Sequence, residues 1–243
     1  MRSWQHLDWN VGSKQGIEPH QQFLTTGKGW IRMTRVGTGN LSSFPTPSLL
    51  KKIMQSMAAL DAIISTEWEY RYYSFNSVWG DGEMMGSMRN GSGDDLFILF
   101  SASGAFVKGF SHEQWEEFPA DEAYREVASC FAEAVSEPAF SPELVTFCCW
   151  YAFARGRWEE AAIPPFDCEE NGSAWMLSEI DGDATKYTEF AKEYYEVEID
   201  EGAVRSIYNH VPMTVELAKS LNAEVDYRAL MSDLAEIGYP VAT

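Results

Sequence analysis

Basic residues are scarce in this chain. Eighteen Lys and Arg stand against 37 Asp and Glu, a formal net charge of −19 over 243 residues. A field of that sign repels phosphate backbones and anionic lipid headgroups, so it argues against nucleic acid and membrane partners. No apolar run approaches the roughly 18 residues that a bilayer-spanning helix needs. The start, Met1-Arg2-Ser3-Trp4-Gln5-His6, has no apolar signal-peptide core. Cysteine is sparse too. Cys130, Cys148, Cys149 and Cys168 form no C-x-x-C, and the first three sit in apolar runs. They read as reduced, mostly buried thiols, and the expected compartment is the cytoplasm.

Other absences narrow the chemistry. His6, His20, His112 and His210 are scattered without metal-ligand spacing, so no zinc site is expected. Gly27-Lys28-Gly29 lacks the rest of a phosphate-binding loop, and no Gly-x-Ser-x-Gly elbow occurs. Asp181-Gly182-Asp183 opens like a calcium loop, but Lys186 and Lys192 stand where Gly and Glu are required. No cofactor motif is present. What the chain does have is core material: 45% apolar and 14% aromatic residues. Each buried ring removes about 150–250 Å² from water, which suits a sizeable core.

The charge is unevenly distributed. Residues 1–46 hold five basic and two acidic residues, whereas residues 47–243 hold 13 basic and 35 acidic ones. The leading segment is rich in Gly, Ser, Thr and Gln and shows no sustained period. It reads as a basic, poorly ordered N-terminal segment ahead of one acidic domain, 47–243.

Periodicity within 47–243 predicts an α+β fold. Its centre is a mostly antiparallel sheet of about four to six strands, flanked by helices, with a helical C-terminal third. Leu50, Ile53, Met57, Leu60 and Ile64 form one helical stripe behind Thr46-Pro47. Strands are expected at about 68–75, 96–100, 105–110, 145–153 and 175–180. A helical turn is expected to carry Met84, Met85 and Met88, and one amphipathic helix to span about 121–135. Asp183, Thr214 and Asp226 are expected helix caps, with Gly238 ending the last helix.

Candidate chemistry concentrates in residues 79–100, a Gly- and Met-rich stretch between strands, because loops on a rigid sheet commonly carry function. Glu83, Asp94 and Asp95 are oxygen ligands or acid–base groups in waiting, and Arg89 can pin the loop or bind an anion. A plainer reading gives these residues capping and pinning roles. Trp79 in this stretch, and Tyr194-Tyr195 in the acidic run Glu193 to Glu201, are candidate anchors for a basic protein surface.

The block Trp79-x3-Glu83-Met84-Met85-x2-Met88-Arg89-Asn90-Gly91-Ser92-Gly93-Asp94-Asp95 and the ending Ala235-Glu236-Ile237-Gly238-Tyr239-Pro240 resemble a family of uncharacterised bacterial proteins. The resemblance covers about residues 48–240. It implies a bacterial, single-domain setting and brings no activity with it.

Two functions follow as expectations. The first is a non-enzymatic, acidic protein-binding module, such as an immunity or inhibitor protein against a basic toxin, which requires acids gathered around an aromatic anchor. The second is a metal- or small-molecule-dependent enzyme, which requires Glu83, Asp94 and Asp95 to converge in one pocket, assisted by Arg89.

Overall fold

The computed structural model describes residues 36–113, 119–161 and 171–242. Helix α1 (Pro47–Ile64) begins where Pro47 presets the first turn, and it buries 13 of its 18 residues. A single 3-10 turn, Trp68–Tyr70, then leads into the sheet. The strands are β1 (Tyr73–Gly80), β2 (Glu83–Arg89), β3 (Asp95–Ser101), β4 (Gly104–Phe110), β5 (Phe147–Ala152) and β6 (Arg157–Glu160). They pair in chain order as one antiparallel meander. The α+β architecture is the one the sequence predicts.

Because successive strand residues point to opposite faces, the register sorts the sheet into two. Met88, Leu96, Ile98, Val107 and Cys149 face α1 and the C-terminal helices. Met85, Leu99, Phe106, Cys148 and Trp150 face the other way. On the first face α1 crosses close over β2. A Cβ on Gly86 would lie 3.2 Å from Met54 Cε, so a side chain at this strand position would have to shift the Met54 tip by a few tenths of an ångström.

The second face is covered by the connection between β4 and β5. Its elements are short: α2 (Ala120–Tyr124), a 3-10 turn Ser129–Phe131, α3 (Ala132–Val135) and a 3-10 turn Pro138–Phe140. The single helix expected over 121–135 is broken because Ala128 adopts an extended conformation, which turns Phe131 down onto Phe106. The C-terminal layer comprises α4 (Ser173–Glu179), α5 (Ala184–Tyr194), α6 (Glu201–Tyr208), α7 (Val215–Leu221) and α8 (Tyr227–Ile237). Asp183, Thr214 and Asp226 cap α5, α7 and α8 through their side chains, and Gly238 ends α8 at a φ of 70°.

Four local expectations are corrected. The segment 84–88 is strand rather than helical turn, because Gly80 and Glu83 pair across a tight hairpin and return the chain along β1. Trp68 to Tyr70 is a 3-10 turn rather than strand. Arg71 holds it there, donating to Ser65 O and pairing with Asp233 at 2.8 Å. Residues 175–179 are helical with Ile180 as the C-cap, since Met176, Leu177 and Ile180 bury at helical spacing. Cys130 is exposed rather than buried, while Cys148 and Cys149 are buried as expected.

Residues 36–46, grouped by composition with the N-terminal segment, pack on the body. Phe44 is buried against Trp158, and Trp158 Nε1 donates to Pro45 O. Thr38 and Gly39 bond to Ser173 and Glu160. The poorly ordered segment expected over 1–46 otherwise lies outside the described residues, as does Cys168. Among the described residues, no helix is long and apolar enough to cross a membrane.

Candidate functional site

The predicted site residues fall in three separate places. Trp79 and Glu83 flank the β1–β2 turn. Arg89, Asp94 and Asp95 stand at the opposite end of β2 and β3, where Arg89 is the register partner of Asp95. Arg89 lies six residues along β2 from Glu83, a distance of about 20 Å at ~3.3 Å per residue. Glu83 therefore shares neither an ion nor a substrate with Asp94 and Asp95. The convergence that a carboxylate-based active site requires is not formed. Among the described residues, no group of three or more His, Cys, Asp or Glu is arranged to hold a metal ion.

At the far end of the sheet the acids have structural partners. Asp94 Oδ2 accepts from Asn90 Nδ2, and its Oδ1 accepts from the His112 backbone N–H and lies 2.8 Å from His112 Nδ1. Asn90 Oδ1 in turn accepts from the N–H groups of Ser92 and Asp94, which closes the Asn90-Gly91-Ser92-Gly93 turn. Asp95 pairs with Lys108 at 2.8 Å. The Lys108 side chain is 1% exposed and lies against the rings of Phe97 and Phe110. Burial lowers the Lys108 ammonium and raises the Asp95 carboxyl, while their mutual attraction opposes both shifts. Arg89 lies over the Trp68 ring at 4.9 Å, and burial lowers its pKa against the pull of Asp95.

Tyr194 and Tyr195 are part of the helical layer rather than open anchors. Tyr194 stacks on Phe190, and Tyr195 donates to Asp61 Oδ2 at 2.7 Å. Asp61 is wholly buried and also accepts from Tyr187 O–H and Tyr73 N–H. Burial pushes its carboxyl up to about 6 in spite of those donors. The sequence reading missed Asp61 and Lys108. The signal was available: each is a single charge in an otherwise apolar run, Met57 to Ile64 and Ala105 to Phe110.

The near end of the sheet is different. The turn between β1 and β2, the tip of β3–β4 at Ser101 to Ser103 and the turn entering α3 enclose an open cleft of about 440 Å³. Asp81, Glu83 and Glu133 line it, with Ser129 and the exposed Cys130 beside them, and among the described residues no Lys or Arg contributes to its wall. Partial burial raises the Glu83 carboxyl, and the nearby charges of Glu133 and Glu137 raise it further. Trp79, two residues before Asp81, is half-buried with its ring stacked on Phe140, and Val78 next to it is 75% exposed. Glu133 and Glu137 reach this site from 50 residues downstream, so no local pattern announces them. The chain matches no family model, no curated protein and no solved structure.

Proposed function

We propose that the protein is a non-enzymatic binding module that receives a basic segment of a partner protein in the cleft at the β1–β2 turn. The observation that carries this reading is the meeting of Asp81, Glu83 and Glu133 in one cleft whose wall, among the described residues, has no cation. The raised pKa of Glu83 supports it: partial burial is the main cause, and the like charges of Glu133 and Glu137 that add to it would be relieved by an incoming lysine or arginine. Exposed Val78, just before the turn that carries Asp81, would offer such a segment an apolar surface near the cleft. The net charge of −19 would steer a basic partner toward the molecule at long range. An inhibitor or immunity protein against a basic toxin is the specific form of module that these features suit.

The test compares the wild-type chain with the variant Asp81→Asn/Glu83→Gln/Glu133→Gln, using lysine-rich peptides of defined length and then the native partner captured by affinity purification. Binding should weaken at least ten-fold in the variant and fall with added salt. Equal binding by the two proteins would remove the cleft from the function.

A further inference from the structure

The two layers that cover the sheet are unequal. On one face α1 alone buries 13 residues. On the other, residues 119–145 wind through helices of five and four residues and two 3-10 turns. Among the described residues, their larger side chains that are fully buried are Phe131, Phe140 and Val145, while Tyr124, Val127 and Val135 are only partly buried. Neither α2 nor α3 has a side-chain cap at its N-terminus. Hydrogen bonds within this strap are local. Among the described residues, one joins it to the sheet, from Cys148 Sγ to Ala123 O at 2.9 Å.

Beneath this layer lies a polar group that closure disfavours. Among the described residues, the buried Trp150 indole N–H has no acceptor. It regains solvent if the strap lifts. A segment with few buried anchors, local hydrogen bonds and an unsatisfied N–H beneath it belongs to the low-stability end of a fold.

We infer that residues 119–145 open as a unit of their own, lifting from the sheet while the α1 face stays folded. Opening takes away the wall of the acidic cleft formed by Ser129, Cys130, Ala132 and Glu133. An occupant of that cleft would therefore hold the strap closed. This consequence rests on the binding role proposed above, whereas the opening itself does not.

Strand β5 carries its own pair of reporters. Cys148 faces the strap and the adjacent Cys149 faces the α1 layer. Burial pushes the closed-state Cys148 thiol up to about 12 and raises Cys149 well above the usual thiol range, so neither reacts at neutral pH until its layer opens. In a Cys130→Ser/Cys168→Ser background, the further variants Cys149→Ser and Cys148→Ser each leave one buried thiol for N-ethylmaleimide. Cys148 should react at least ten-fold faster than Cys149, with a weaker dependence on urea than global unfolding shows. Hydrogen exchange on the unmodified chain, read by mass spectrometry, should release amides of 119–145 before those of 50–63. Equal rates at the two thiols, together with exchange of both segments only in the global transition, would overturn the inference.

Discussion

The Tyr187 hydroxyl donates a 2.5 Å hydrogen bond to Asp61 Oδ1 inside the helical layer, joining α5 to α1. Tyr195 O–H and Tyr73 N–H complete the set of donors, and Tyr195 also accepts from Tyr72 N–H. The groups that act on Asp61 are hydroxyls and amides, none of them a cation. The carboxylate is thus well solvated by the protein yet uncompensated in charge, and burial outweighs the donors.

This arrangement fixes a pH dependence of stability. A carboxyl raised from 3.8 to about 6 binds its proton more tightly in the folded chain than in the unfolded one. Its contribution is fully present below about pH 4, declines as pH rises from 4 to 6, and is lost above that. Two pH units correspond to about 3 kcal/mol at ~1.4 kcal/mol per unit. Urea unfolding of the wild type and of Asp61→Asn at pH 4 and pH 7 reads the difference. The stability of the wild type relative to the variant should improve by about 2–3 kcal/mol on going to pH 4. A pH-independent difference would mean that Asp61 keeps an ordinary carboxyl.

The Lys108–Asp95 pair makes a second prediction. Asp95→Asn leaves the Lys108 ammonium on a buried face with Phe97 and Phe110 around it and no carboxylate at hydrogen-bonding distance. Removing one partner of a buried pair costs about 3–5 kcal/mol, and Asp95, itself partly exposed, belongs at the lower end of that range. Adding Lys108→Met should recover most of the loss, because the uncompensated charge goes with it. Chemical denaturation of the two single variants and the double variant gives the coupling energy. Additive losses would show that the pair is not coupled.

Much of the fold was legible because its signals are local. The α1 stripe, the strands at 96–100 and 105–110 and the caps Asp183, Thr214 and Asp226 each need only neighbouring residues. The failures came where distant partners decide. Met84 to Met88 has a pattern compatible with a helical turn, but pairing with β1 on one side and β3 on the other makes it a strand. Arg71 shapes Trp68 to Tyr70 through Asp233, which lies 162 residues away. The candidate site divided in the same manner. Glu83 was visible as one acid in a distinctive block, but its companion Glu133 comes from the strap. Asp94 and Asp95 looked like equals of Glu83 because sequence proximity hides the length of a strand.

Charge held in the cleft should also cost the free protein something. Glu83, near Glu133 and Glu137, carries repulsion that Glu83→Gln removes without changing the shape of the side chain. The site is open to water, so solvent screening limits the gain to about 0.5 kcal/mol, or roughly 1–2 °C in Tm. Thermal unfolding at low salt should show that increase, and it should shrink in 1 M salt, where the screening length is ~3 Å. The same substitution should weaken binding of a lysine-rich peptide. Stability and affinity then move in opposite directions at one residue, as expected of a group retained for binding rather than for folding. A variant no more stable than the wild type at low salt would mean that the three carboxylates do not feel one another, and that the cleft concentrates too little charge to select a basic segment.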